Sequence, residues 1–537
     1  MITKKNLPAD GFAGLKQNFS KDALSGFLVF LLALPLSLGI AKASDFPAIF
    51  GIVTAIIGGV VVSFFAGSLL TIKGPAAGLI VIASGAVTAF GGAEQGWHLA
   101  LGAVVVAGII QILFGVFKLG SFADFFPNAA IHGMLAAIGI IIMSKQIHSL
   151  LGIDPKMLKG KEPLELIRMI PESLMHENAH LTEIGLACLA ILIILSVVKN
   201  KHIKKIPPPL VVLIVSIPLG LALHIKTENT ISNFSLVKIG NIVDNFKNGL
   251  INADFSGIGQ NTGLFVQYVI LFALIGSIES LLTAKAIDGL DPYKRKSNFN
   301  KDLIAVGIGN SITGLLGGLP MISEVARSSA NVSNGAQTRW ANFFHGMFLL
   351  LAVLFAVPFI EMIPNAALAA MLLFVGFRLA HPREFAHIAH IGKGQLFIFV
   401  STIIITLSTD LLVGVGSGIL LELILNVING APVKALFKSN VTLEKISDKE
   451  YHVVAKEALL FSNNAGLKKV MADIPTSSHV RIDLSACKLI DHSSLVLLHS
   501  LEVDFKNNGG EMVTDGLHEH IQLGHDSRST YKLKANS

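Results

Sequence analysis

The chain has 537 residues, 52% of them hydrophobic and only 15% charged, with a mean hydropathy of +0.65. This composition excludes an ordinary soluble globular protein of that length and identifies a polytopic membrane protein. The formal charge of +6 does not indicate nucleic acid, because Lys and Arg gather at the ends of apolar runs without aromatic interleaving, the pattern that orients membrane spans.

Residues 1–21 carry Lys4, Lys5, Lys16 and Lys21 with Pro8 and Gly11, but neither an apolar core nor a small-residue cleavage site, so a cytoplasmic amino-terminal segment is expected rather than a removable signal peptide. Fourteen hydrophobic segments follow, at about 24–44, 48–66, 76–92, 98–118, 127–145, 181–198, 208–225, 262–284, 302–318, 322–333, 342–360, 365–379, 395–408 and 411–428. With the amino terminus inside, the basic junctions at 199–205, 291–301 and 378–385 also fall inside, and an even number of spans returns the carboxyl terminus to the cytoplasm. The 146–180 loop fits this less well, since it carries Lys156, Lys159, Lys161 and Arg168 to the outside.

The third and tenth segments are short and begin just after Gly/Pro elements, in IKGPAAGLIVIASG (72–85) and GGLPMISEVARSSAN (317–331). Their seven-segment offset is what two repeats of seven would give, inverted because seven is odd. Half-helices meeting near the midplane would present unpaired N–H groups and positive dipole ends, for which an anion is the natural guest. The alternative is that Pro75 and Pro320 are ordinary kinks in spanning helices. Ser68, Thr71 and Lys73 precede the third segment, and Lys73 is expected to mark the cytoplasmic boundary.

In GSIESLLTAKAID (276–288) a carboxylate, Glu279, falls in the middle of an apolar run, where a charge costs about 2.5–3.5 kcal/mol and usually serves a pathway. Thr283 lies four residues on, hence on the same helical face, and the two could hold a proton or a small cation. Arg327, three residues after Glu324, is the permanent cation nearest the proposed anion site, to compensate the guest or to pair with Glu324 or Glu279.

His381, His387 and His390 cluster in an expected cytoplasmic loop, and His518, His520 and His525 lie near the tail, but no completing Cys and carboxylate set supports a metal. Cys188 and Cys487 offer neither a disulfide framework nor a ligand spacing and are expected to be packed thiols. The aqueous loops show no nucleophile–base pairing or phosphate-cradling glycine loop, so an enzyme is not expected. Beyond residue 436 the composition turns polar, with strand-like YHVVA and VRIDLS and a helical SSLVLLHSLEVDF. This gives a membrane domain at 22–436 and a small cytoplasmic α/β domain at 437–537.

The segments DALSGFLVFLLALPLSLGIAKAS (22–44), IKGPAAGL, PNAAIHGM (127–134), GSIESLLTA, GGLPMISEVARSSANVSNGAQTR and VRIDLSACKLIDHSSLVLL together resemble the sulfate permease (SulP) family of anion transporters with a carboxy-terminal STAS domain. The resemblance covers nearly the whole chain. It implies a polytopic all-α membrane fold of fourteen spans in two inverted seven-span repeats, a core domain moving against a gate domain in elevator fashion, a cytoplasmic STAS domain and a homodimer. It places the coupling-ion site on Glu279 and Thr283. Sodium-coupled bicarbonate members have Asp at the acidic position, whereas Glu occurs in members assigned to proton coupling. It places anion contacts on Ala76, Ala77, Gly78, Ser323, Glu324 and Val325, with Glu324 departing from the usual small residue. A second carboxylate near Glu279 would favour a shared proton or complete a cation site. In bacterial anti-sigma antagonists of the STAS fold, the serine two residues after the Asp is a phosphoacceptor; it maps to Ser493, and the glycine after it is Ser494 here. The alternative for Ser493 is a helix-capping role.

The expected function is therefore secondary active transport of a small inorganic anion, sulfate or bicarbonate first, across the plasma (inner) membrane, with H+ or Na+ as coupling ion and no other cofactor. An anion channel, an uncoupled exchanger and a dicarboxylate transporter are the alternatives. Uracil and xanthine permeases share the architecture but lack the tail.

Overall fold

The computed structural model describes residues 7–92, 96–120, 126–158, 161–198, 207–225, 235–239 and 252–534. Lys4, Lys5 and the basic junction at 199–205 lie outside the described residues. In chain order the principal elements are α1 (Gly11–Ala43), α2 (Ala48–Val60), β1 (Ile72–Pro75), α3 (Ile80–Ala89), α4 (Gly96–Val116) and α5 (Asn128–Leu150). Then come α6 (Pro163–Met175), α7 (Ala179–Val197), α8 (Pro208–Ala222), α9 (Thr262–Leu290), α10 (Phe299–Leu316), β2 (Met321–Glu324) and α11 (Val325–Ser333). The remaining apolar helices are α12 (Trp340–Phe355), α13 (Asn365–Leu379), α14 (Pro382–Ile391), α15 (Lys393–Ser408) and α16 (Leu411–Ile428).

Every one of the fourteen expected apolar segments contains a helix. Among the described residues seven helical runs are long and apolar enough to cross a membrane, and five more helices are shorter and apolar. The helices α10 and α11 meet neither description: α10 carries the buried Asp302 and Asn310 among its 18 residues, and α11 has only nine residues, Arg327 and Asn331 among them. Helix α1 begins at Gly11, so the latter half of the expected amino-terminal segment is already helical. Asp22, within it, is fully buried and accepts from the Gln337 N–H at 2.7 Å and from Thr338 Oγ1 at 2.5 Å.

The chain divides into two compact units, residues 1–120 with 138–378, and residues 121–137 with 379–537. In the first, helices approach closely where side chains are absent: a Cβ on Gly59 of α2 would lie 2.5 Å from the Gly346 Cα of α12. Small residues allow such backbone contact in a membrane setting, where packing rather than hydrophobicity drives helix association.

The two broken segments are more than interrupted helices. Pro75 disfavours the helical conformation in the residue before it, where β1 ends, while β2 starts directly after Pro320; the two strands pair antiparallel, Ile72 opposite Glu324 and Lys73 opposite Ser323. Antiparallel crossing of the two is what inversion of one seven-segment half against the other produces. With no water to serve an exposed edge, side chains complete the sheet. Ser328 Oγ accepts from the Ile72 N–H at 2.9 Å, Asn342 Oδ1 from the Lys73 N–H at 3.2 Å, and Asn310 Oδ1 from the Met321 N–H at 2.6 Å.

The second unit holds a seven-stranded sheet of β3 (Asn440–Lys445), β4 (Glu450–Leu459), β5 (His479–Asp483), β6 (Cys487–Ile490), β7 (Glu511–Asp515), β8 (His520–Gln522) and β9 (Tyr531–Leu533). Its order is β7-β5-β4-β6-β9-β8, with β3 antiparallel to β4. Helices α17 (Asn464–Ala472) and α18 (His492–Asn507) accompany it, and a core built on Val453, Leu459, Leu467, Ile482, Leu498 and Phe505 fills it. The unit also includes α14–α16 and the start of α5, so its limit falls well before the composition change at residue 437.

Asp491 caps α18, accepting from the Ser494 N–H at 2.8 Å, and also accepts from the Phe461 N–H at 2.7 Å. Burial pushes its carboxyl up to about 6, against the pull of those two N–H groups toward the charged form. A carboxyl raised above its unfolded value binds protons more tightly when folded, so its stability contribution grows as pH falls through about 6 toward the ordinary 3.8. Asp491→Asn retains a capping side chain and is therefore expected to raise the thermal midpoint of the full chain at pH 7.5 but not at pH 4.5. Scanning calorimetry of both proteins in detergent checks this, and an equal difference at the two pH values would contradict it.

Candidate functional site

The β1–β2 crossing sets two helix starts beside α9. After β1, Ala77–Leu79 form a 3-10 turn that leads into α3; after β2, α11 begins at Val325. The first-turn N–H groups of such helices have no intrahelical acceptor.

Glu279 lies on α9, buried, at 8% exposure, and its Oε1 has no hydrogen-bond partner among the described residues. Its carboxylate rests on Gly78: a Cβ there would lie 2.1 Å from Oε1 and 2.3 Å from Oε2. The third segment needs glycine at 78 because a carboxylate occupies the space of a side chain. Thr283 is buried one turn along α9. Glu324 lies within electrostatic range of Glu279. Gly78→Ala is expected to displace the Glu279 carboxylate and to cut anion uptake at least about tenfold, the scale of a small misplacement at a functional site. Uptake into proteoliposomes, normalised to folded protein, checks it; undiminished uptake would mean that the contact is incidental.

Glu324 closes its own helix, its Oε2 accepting from the Arg327 N–H at 2.9 Å. Arg327 is fully buried, and among the described residues Nε, Nη1 and Nη2 all lack a hydrogen-bond partner. The nearest carboxylate oxygen, Glu324 Oε2, is 4.0 Å from Nε, too far for a hydrogen bond. Nη1 lies against Gly74, where a Cβ would be 2.6 Å away. A guanidinium has five donors and no means of losing its charge at ordinary pH, so a buried one without acceptors calls for an anionic or aqueous partner. His345 of α12 is buried within electrostatic range of it.

The crossing thus gathers Ala76, Ala77, Gly78, Glu279, Thr283, Ser323, Glu324, Val325 and Arg327 into one unit. Val325 is half exposed, while Ser323 is fully buried. The expected boundary role of Lys73 is overturned: it is fully buried and its Nζ is 2.9 Å from Asp302 Oδ1. Its partner is 229 residues away, and the only sequence signal was a charge set against Gly-Pro inside an apolar context. Ser280, which accepts from the Ser323 N–H at 3.0 Å, carried no signal at all.

The histidines do not assemble. His381 caps α14 by accepting from the Arg383 N–H, and His390 stacks on His525 at 5.6 Å. Among the described residues no group of three His, Cys, Asp or Glu is placed to hold a metal. Cys188 and Cys487 are both buried free thiols. Ser493 stands in the first turn of α18, which Asp491 caps, and its hydroxyl instead accepts from the Asn128 N–H at the start of α5, at 3.2 Å. The capping role expected of Ser493 therefore serves a different helix.

The profile of the Sulfate permease family matches residues 19–402. The putative sulfate transporter YvdB of Bacillus subtilis is 28% identical over 408 residues, 76% of this chain and 73% of the relative. The bicarbonate transporter BicA of Picosynechococcus is 26% identical over 76% of this chain and 70% of its own. Among solved structures, the transmembrane domain of a cyanobacterial BicA superposes with a TM-score of 0.65 at 25% identity, covering 74% of this chain and 98% of that one. Murine Slc26a9 in the inward-facing state gives a TM-score of 0.64 at 16% identity over 92% of this chain and 85% of its own, a likeness of fold.

Proposed function

The chain belongs to the sulfate permease family of anion transporters, and we propose that it carries sulfate or bicarbonate across the plasma membrane by secondary active transport, coupled to protons or sodium through Glu279. The observation that carries this reading is the fully buried Arg327 guanidinium, without acceptors, beside two helix starts. The anion binds between Arg327 and the first-turn N–H groups at Ala76–Gly78 and Val325. The same two starts favour a compact oxyanion, and a neutral ring of similar size is not expected to compete for them.

Charge counting supports coupling. Lys73 and Asp302 cancel each other, which leaves Arg327 against Glu279 and Glu324 around the crossing. With both carboxylates ionised the crossing is net negative, and a divalent oxyanion entering it would meet strong repulsion in a low-dielectric setting. One proton or Na+ on Glu279, with Thr283 beside it, removes that obstacle, so anion and cation enter together. Movement of the crossing as a body, in elevator fashion within a homodimer with cytoplasmic termini, converts binding into transport. Ser493, set between α18 and the start of α5, is the proposed phosphoacceptor through which the terminal domain regulates the rate.

The test is uptake of labelled sulfate and of bicarbonate into proteoliposomes with an imposed pH gradient, an imposed sodium gradient, or neither. Gradient-driven accumulation supports coupled transport. Flux that only equilibrates the anion, whatever the gradient, would identify a channel or uncoupled exchanger.

A further inference from the structure

Behind the proposed anion site lies a buried polar chain that the transport reading does not use. Lys73 of β1 donates through Nζ to Thr71 Oγ1 and, at 2.9 Å, to Asp302 Oδ1. Asp302 lies in the first turn of α10, where the helix dipole favours its charge. Oδ1 also accepts from the Gly67 N–H at 3.1 Å and the Ser68 N–H at 3.0 Å, while Oδ2 accepts from Ser323 Oγ at 3.2 Å. Ser323 Oγ in turn accepts from Ser280 Oγ at 3.1 Å. The two serine hydroxyl hydrogens therefore run toward Asp302: from Ser280 to Ser323, and from Ser323 to the carboxylate, which Lys73 meets from the other side.

A buried ion pair is a weak source of stability, since well-packed apolar residues often do as well. What this pair supplies is direction. Asp302 can only accept and Lys73 can only donate, so the two Ser hydroxyls between Asp302 and α9 have one orientation. Ser280 is the neighbour of Glu279 in sequence, and Ser323 stands one residue before Glu324, the residue that caps α11. The chain ties the loop at 67–68, β1, α10, β2 and α9 at the point where the helix starts must be held in register.

We propose that Lys73 and Asp302 are positioning residues for the anion site: through Ser323 and Ser280 they fix the β2–α11 junction against α9, and with it the spacing of Arg327 and Glu279. Ser323 accordingly acts by position. Its N–H is given to Ser280 and its O–H to Asp302, so the anion takes its N–H donors from elsewhere on the two helix starts. The inference rests on the anion-site reading above.

The experiment uses the full-length protein in proteoliposomes with labelled sulfate and bicarbonate as probes. The paired apolar variant Lys73→Met/Asp302→Leu removes both charges at once and leaves neither unpaired. It is expected to stay folded by thermal unfolding, to raise KM for the transported probe about tenfold or more, and to change the maximal rate much less. Ser323→Ala alone, which cuts the link from the pair to β2 and with it the acceptor of the Ser280 hydroxyl, is expected to raise KM similarly, and adding it to the paired variant should have little further effect. Unchanged KM in folded Ser323→Ala, or strictly additive effects, would overturn the positioning role and leave a merely structural pair. If the paired variant does not fold, Ser323→Ala decides alone. Wild-type protein run alongside separates the two readings: no saturable uptake of either probe would refute the anion site itself.

Discussion

Glu279→Gln is expected to leave a folded protein that equilibrates sulfate or bicarbonate but no longer concentrates either. Gln fills the space above Gly78, yet it can neither exchange a proton nor neutralise a cation. With the membrane potential clamped at zero, one proton per anion and a pH difference of one unit sustain about tenfold accumulation, since each tenfold ratio corresponds to about 1.4 kcal/mol. The variant should fall to a ratio of about one under the same gradient, while exchange of internal for external anion persists. Gln also removes one negative charge from the crossing, so anion binding should tighten or hold rather than weaken. Concentrative uptake that survives in Glu279→Gln would move the coupling ion elsewhere, and loss of exchange together with accumulation would mean that Glu279 contacts the substrate.

Much of this arrangement is legible in the sequence, for identifiable reasons. The apolar segments stand out because a bilayer demands runs of fixed length, and the two broken ones because Gly-Pro and Leu-Pro interrupt such runs at matching places. Glu279 is visible because a charge inside a span is rare. What the sequence hides is pairing across distance. Nothing local links Lys73 to Asp302 or Ser280 to Ser323, and a lysine at the start of an apolar segment has the same appearance whether it meets headgroups or a buried carboxylate. The strands were hidden for a similar reason: each spans four residues, too short for an alternation to register, and they exist only because the inverted halves bring them together. The capping alternative for Ser493 concerned its own helix, which Asp491 caps instead; the Ser493 hydroxyl meets the start of a helix 365 residues earlier in the chain, a pairing that no local signal carries.

Arg327→Met is expected to have the largest effect on binding. Removing a buried charged donor from a hydrogen-bonded pair costs about 2–5 kcal/mol, which corresponds to about 30-fold to a few thousand-fold in affinity. The effect here should sit at the upper end, because the substitution leaves Glu279 and Glu324 without their permanent counter-charge and turns the crossing from one net negative charge to two. Folding should survive, since among the described residues none of the three guanidinium nitrogens holds a protein acceptor, and the Arg327 N–H that closes α11 on Glu324 belongs to the backbone. Glu324 then becomes decisive. Its carboxylate occupies the helix start that an incoming oxyanion would use, so protonating it or binding a cation beside it must favour the anion, and affinity for sulfate should rise as pH falls or sodium rises. Glu324→Ala frees that start and should weaken the dependence on pH or sodium more than it weakens affinity itself. In Arg327→Met/Glu324→Ala, binding should recover part of its strength and lose most of its dependence on the cation. Equilibrium binding of labelled sulfate across pH 5.5–8, with and without sodium, measures all three. Sulfate affinity in folded Arg327→Met equal to that of the wild type would remove the guanidinium from the site, and a dependence on pH or sodium that persists undiminished in Glu324→Ala would remove Glu324 from the coupling.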